Sequence, residues 1–142
     1  MTRPLAAYAY RAVMSIEVTL QQLAETLRRY RFAYLLTIGD DARPHVVAVP
    51  TTLVKGTLFV TDLGRRTRTN VAARPPVTLV WPPADPGDYS LIVDGVGSMR
   101  GDELAVAPTR AVLHRPAPAQ TPTTGDGCES DCVELPITAE SI

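Results

Sequence analysis

The stretch TLFVTDLGRRTRTNVAARPPVTLVW, residues Thr57 to Trp81, reads as a strand, a short basic helix and a second strand. TLFVT and VTLVW carry the branched and aromatic residues of strands. The segment between them, from about Arg65 to Arg74, is compatible with a helix that Pro75-Pro76 must stop. Arg65, Arg66 and Arg68 fall at the start of that helix. Free backbone N–H groups and the positive end of the dipole lie there, so Asp or Glu is the usual choice. A charge run is often no more than a solvated helix face. Arginines crowded at the wrong end of a helix, with forks that match phosphate oxygens in pairs, favour a bound anion.

Upstream, FAYLLTI from Phe32 is a strand that ends at the turn Gly39-Asp40-Asp41-Ala42. After Arg43-Pro44 comes HVVAVPTTLV, read as one strand, with Val47 and Val49 facing one way and Val46 and Ala48 the other. Lys55-Gly56 turns the chain into TLFVT, and the three strands are expected to form a meander. Before them, Ile16, Leu20, Leu23 and Leu27 recur at spacings of 4, 3 and 4, a single apolar helical stripe. Thr19 with Gln22 forms its capping box, and Arg28 and Arg29 suit the negative end of its dipole. Residues 1–14 show no period and read as an N-terminal arm.

Downstream, WPPADPGD is a loop by its proline and glycine content. YSLIVDGVGSM is a long strand in which Gly95 and Gly97 mark bends or close backbone approach. LAVAPTRAVLH is the last strand, broken or bulged at Pro108. Residues 116–142 shift to Pro, Thr and Gly and read as an irregular C-terminal tail. Residues 15–115 are then one domain. Six strands, a short N-terminal helix and a short helix after the third strand point to a small antiparallel barrel, closed or partly open.

At 142 residues the chain is one domain by size. Its 45% hydrophobic and 20% charged residues are those of a globular protein. A formal net charge of −1 argues against broad nucleic-acid binding, which leaves a basic footprint. No apolar run approaches the ~20 residues of a membrane span. The N-terminus is too interrupted by Arg and Tyr for a signal peptide, so the expected location is cytoplasmic. Cys128 and Cys132 lack the further ligands of a zinc knuckle and the spacing of the redox motif, and read as reduced, exposed thiols, with a reversible disulfide or a partial metal site as the alternatives. His45 and His114 are the two histidines, and no metal site is expected of them. Trp81, ending an apolar strand, reads as core or dimer contact. No nucleophile-elbow, paired-carboxylate or P-loop pattern appears, so a catalyst built on this chain would rely on a cofactor.

Several stretches, in this order, resemble the pyridoxamine 5'-phosphate oxidase-like family of FMN-binding split β-barrel flavoproteins. AYLLTIGDDARPHVVAV is similar to the family's strand, acidic-Gly turn and next strand. FVTDLGRRTRTNVAARPPVTLVW is similar to its strand, Ser-Arg-Lys phosphate segment and aromatic-ended strand, and LIVDGVGSM to its strand with an acidic residue before Gly. The resemblance covers about Leu20 to His114. It implies a six-stranded antiparallel split β-barrel and a homodimer holding FMN, or in some branches a deazaflavin coenzyme, between subunits. The ring would lie along the backbone of Val47, Ala48, Val49 and Pro50. Thr61 matches the threonine ending the family's third strand, and Arg65, Arg66 and Thr67 stand at the Ser-Arg-Lys positions with Arg68 beside them. Ser90 sits where the partner subunit often offers Gln. Thr67 replaces the usual lysine, and Val47 stands where the oxidases proper have a phosphate-binding arginine. The tail lacks their substrate-binding Trp and Arg. The implied activity is an FMN-dependent oxidoreductase moving hydride to or from a small organic substrate. The alternatives are a deazaflavin-dependent reductase and a non-catalytic or vestigial cofactor-binding barrel.

Overall fold

Pro50 and Thr51 do most to shape the barrel. The computed structural model describes residues 20–116 and 130–135, which form helices α1 (Leu20–Leu27) and α2 (Arg65–Ala73) and eight strands. The strands are β1 (Ala33–Ile38), β2 (Pro44–Val49), β3 (Thr52–Val54), β4 (Thr57–Val60), β5 (Pro76–Trp81), β6 (Ser90–Arg100), β7 (Glu103–Pro116) and β8 (Ser130–Leu135). All pair antiparallel in one sheet ordered β2-β1-β5-β6-β7-β4-β3, with β8 also on β7. Laid flat, six strand spacings would separate β2 from β3 by ~29 Å. The link through Pro50 and Thr51 reaches only ~11 Å. The sheet must therefore curl until its two ends meet, without a ladder between them. This mainly antiparallel sheet with two short helices resembles the split-barrel fold.

The sequence reading needs three corrections. HVVAVPTTLV is two strands: Pro50 has no N–H to continue a ladder, so β2 pairs with β1 while β3 pairs with β4. The expected meander is therefore absent, because β4 lies beside β7 across the barrel. The third correction is the count of eight strands in place of six. Besides the division at Pro50, residues Ser130–Leu135 of the expected irregular tail form β8. That strand pairs with Ala111–Pro116, so β7 carries β4 on the first half of one edge and β8 on the second. A short polar run such as SDCVEL gains strand structure from a waiting edge, not from its own propensity. The N-terminal arm, Ile16, Thr19 and Cys128 lie outside the described residues.

Inside the curl the alternate residues of each strand form the core, among them Leu35, Leu58, Leu79, Trp81, Leu91 and Leu104. Helix α1 adds Leu23, with Leu27 packed against the edge of the cluster. The hairpin of β6 and β7 is the longest pairing. Its register shifts where Asp94 faces Arg110 and Gly95 faces Pro108, leaving Thr109 as the extra residue of a bulge. Thr109 Oγ1 donates to the Asp94 carbonyl at 3.2 Å there. Gly95 is required at this crossing, because a Cβ would stand 2.6 Å from Val106 Cγ1 and 2.7 Å from the Ala107 carbonyl oxygen. Lys55 (φ 49°) and Gly56 (φ 83°) make the two-residue β3–β4 turn in left-handed conformations, which match the twist of a hairpin.

Candidate functional site

Helix α2 begins after Gly64, whose extended backbone (φ −75°, ψ 171°) provides no side-chain cap, and no acidic residue stands in its first turn. The Arg68 N–H closes the first intrahelical bond, to the Gly64 carbonyl at 3.2 Å. The earlier N–H groups of the turn have no intrahelical acceptor. Arg65 and Arg66 project from this turn into an open cleft of about 920 Å³. Its opposite wall is the Gly39–Asp41 turn followed by Arg43, Pro44 and His45 at the start of β2, with Thr69 and Asn70 along the α2 side.

Two hydrogen-bond systems hold this wall. Asn70, 4% exposed, donates from Nδ2 to Thr37 Oγ1 at 3.1 Å and ties α2 to β1. Arg74, just past the helix, donates from Nε to the Ile38 carbonyl and from Nη2 to Asp40 Oδ1, both at 2.7 Å. The turn closes on itself through Gly39 N–H to the Arg43 carbonyl and Ala42 N–H to the Gly39 carbonyl, each 2.9 Å.

The same bonds set the electrostatics. Asp40 is engaged by Arg74, and Asp41 accepts the Arg43 backbone N–H at 3.1 Å. Among the described residues no carboxylate pairs with the guanidinium groups of Arg65, Arg66 or Arg43. The cleft is thus lined by three arginines that form no ion pair among the described residues, beside a helix N-terminus and with Asp40 and Asp41 on its opposite wall. Chemically it can hold a multiply charged oxyanion.

The expected site residues divide into distinct locations. Arg65 and Arg66 line the cleft. Arg68 turns away and faces Asp102 at 3.6 Å, and Thr67, 1% exposed, is enclosed on the barrel side of the helix. On β2, Val49 is buried and Val47 half-buried, while Ala48 and, after the strand, Pro50 are exposed. β2 ends the strand path, so one of its backbone edges carries no ladder among the described residues. Thr61 is exposed just beyond β4, and Ser90 opens β6, across from His114. Neither lines the cleft. The sequence reading did not assemble Arg43, Thr69, Asn70 and Thr37 with the arginines. One signal was present: Asn70 lies one helical turn beyond Arg66 and shares its side of the helix. Cys132 lies in β8 in register with His114. Among the described residues no cluster of His, Cys, Asp or Glu could hold a metal, and no helix is long and apolar enough to cross a membrane.

No family model matches the chain. Two curated relatives do: Uncharacterized protein Mb0449c of Mycobacterium bovis and Uncharacterized protein MT0457 of Mycobacterium tuberculosis. Each is 45% identical over 85% of this chain and 96% of its own length. The chain belongs to the family of these mycobacterial proteins. Among solved structures it is similar to a putative pyridoxamine 5'-phosphate oxidase from Listeria innocua, with TM-score 0.58 and 14% identity over 66% of this chain and 96% of that one. An F420 reductase matches with TM-score 0.53 and 20% identity over 60% and 91% of the two chains. A heme binding protein from Mycobacterium smegmatis matches with TM-score 0.54 and 15% identity over 84% of this chain and 59% of that one. At these identities the likeness is one of fold. Proteins of that fold include cofactor-dependent oxidoreductases and heme binders.

Proposed function

We propose that the chain binds FMN in the arginine cleft and acts as an oxidoreductase on a small organic substrate. The observation that carries this reading is the group of Arg43, Arg65 and Arg66 around a helix N-terminus, with Asp40 paired to Arg74 and Asp41 turned to the Arg43 backbone N–H. A phosphate monoester suits that set: two guanidinium forks and first-turn N–H groups can each give charge-assisted hydrogen bonds. The free edge of β2 runs away from His45 and offers backbone N–H and C=O groups to the polar rim of a flavin ring, with Ala48 leaving room beside it. When bound, the flavin would supply the hydride chemistry. The chain's own part is to bind the phosphate, orient the ring and exclude water from it.

The reading includes a homodimer, in which Ser90 of one copy faces the ring held by the other and Thr61 adds a hydroxyl. The outer face of the sheet supports it. Ala48, Tyr34, Val80, Ile92 and Val112 form one cross-strand row. Tyr34 and Val46 on that face are 40% and 51% exposed. A deazaflavin coenzyme is the second reading, favoured by a third cleft arginine, Arg43, that a longer anionic tail could use.

Titration of the purified protein with FMN, with coenzyme F420 and with heme separates the readings. Stoichiometric FMN binding, weakened in Arg66→Ala by ~1.5–3 kcal/mol or about ten- to a hundredfold, is the expected result. Binding of F420 alone would establish the second reading. Preference for heme, or binding of none, overturns both, and unchanged FMN affinity in Arg66→Ala removes the phosphate from this cleft.

A further inference from the structure

At the other end of β2, about 20 Å away along a six-residue strand, lies a second and smaller cavity of about 320 Å³. Helix α1 forms one side through Leu27, the β2–β3 link and β3 form the other through Thr51, Thr52 and Leu53, and Trp81 of β5 also lines it. Arg28 and Arg31, from the turn that follows α1, stand at its rim. No acidic side chain lines it. The volume is at the lower end of the ~300–1,000 Å³ typical of small-molecule sites.

Three features give this cavity a chemistry of its own. Its two sides carry apolar side chains, Leu27 and Leu53, with Trp81 beside them. Arg28 and Arg31 form no ion pair among the described residues, so the rim carries two uncompensated cations. The third feature is Trp81, a core residue only 2% exposed that still lines the cavity, so its indole can report what enters. The neighbouring phenol is already committed: Tyr30 donates to the Tyr89 carbonyl at 2.9 Å and holds the β5–β6 loop against α1.

We propose that this cavity is a binding site for a small amphipathic organic anion, a carboxylate carried on a single flat apolar ring. The carboxylate meets the Arg28 and Arg31 guanidinium groups, whose planar forks suit it, while the ring fills the apolar space between Leu27 and Leu53, with Trp81 close by. The Thr51 and Thr52 hydroxyls add polar contacts at the rim. The site is separate from the arginine cleft and does not depend on the cofactor assigned there.

The protein has a single tryptophan, so one indole N–H resonance reports the site. The full chain, without added cofactor, is titrated with benzoate and with its neutral isostere benzamide. The expected result is a saturable shift of the indole resonance with benzoate, at least tenfold weaker with benzamide. The double substitution Arg28→Gln/Arg31→Gln should lower benzoate affinity at least tenfold and leave benzamide unaffected, with unchanged thermal unfolding as the control for folding. Arg65→Gln/Arg66→Gln should leave benzoate binding unchanged, which separates this site from the first cleft. No saturable shift, equal binding of the two probes, or loss of benzoate binding in the Arg65/Arg66 variant instead overturns the proposal.

Discussion

At the scale of single residues, Gly95 and Tyr30 show how local chemistry supports the barrel. The β6–β7 crossing brings Ala107 and Val106 to within 2.7 Å of where a Gly95 Cβ would lie. One of these contacts is backbone, which cannot rotate away. Gly95→Ala is therefore expected to destabilise the protein by ~1–3 kcal/mol, the usual cost of overpacking, as measured by urea unfolding. A change below the error of that measurement would mean the bulge can slide. Tyr30 is held by its bond to Tyr89, and burial raises its pKa above the usual 10.0, against the lowering effect of Arg29. A folded-state pKa above the unfolded one adds stability that is complete below pH 10.0 and is lost as pH rises through the folded value. Wild type should thus lose stability faster than Tyr30→Phe as pH rises above 10.0, a difference readable in parallel denaturation curves. Gly95 and its bulge partner Pro108 were legible in the sequence because both break the pattern of a strand. The Tyr30 contact joins residues 59 positions apart, and no local pattern encodes such a pairing.

At the scale of elements, helix α2 is placed by its inward side, not by its charged one. Thr67, Asn70 and Val71 are the buried residues of an otherwise polar helix. Val71 Cγ1 reaches to 3.2 Å from where a Gly97 Cβ would be, and Asn70 anchors the helix to Thr37. Removing the amide leaves the buried Thr37 hydroxyl without its donor. Asn70→Ala should cost ~1–3 kcal/mol and loosen the arginine cleft with it, so that anion affinity and melting temperature fall together. A normal melting temperature with weakened anion binding would instead place Asn70 in contact with the ligand. The helix itself and its arginine-rich first turn follow from residues close in sequence. Which arginine serves the cleft does not: Arg68, two residues beyond Arg66, is turned to Asp102 by helical rotation of about 200°.

At the scale of the whole molecule, the outer sheet face carries the proposal of a second copy. Tyr34 and Val46 are exposed large apolar residues on that face, and Leu36 stands between Val46 and Thr78 in the next cross-strand row. Acidic side chains placed there would repel one another across a two-fold interface, where the same patch meets itself. Tyr34→Glu/Val46→Glu is expected to halve the mass seen by light scattering with an unchanged circular dichroism spectrum. A wild type that is already monomeric removes the dimer and the shared cofactor site together. The sequence alone determined the elements whose signals are local: the amphipathic helix before β1, the turns at Gly39–Ala42 and Lys55–Gly56, the α2 segment between two strands, and the last two long strands with the interruption at Pro108. It also determined that a cationic turn would follow the strand TLFVT. Only the tertiary structure decided that HVVAVPTTLV divides between the two ends of the sheet, that SDCVEL completes the edge of β7, and that Arg43 and His45 stand opposite Arg65 and Arg66. The physical reason is the same in each case. Periodicity and turn chemistry act over a few residues, whereas strand order and cleft lining are set by where a curled sheet brings distant segments together.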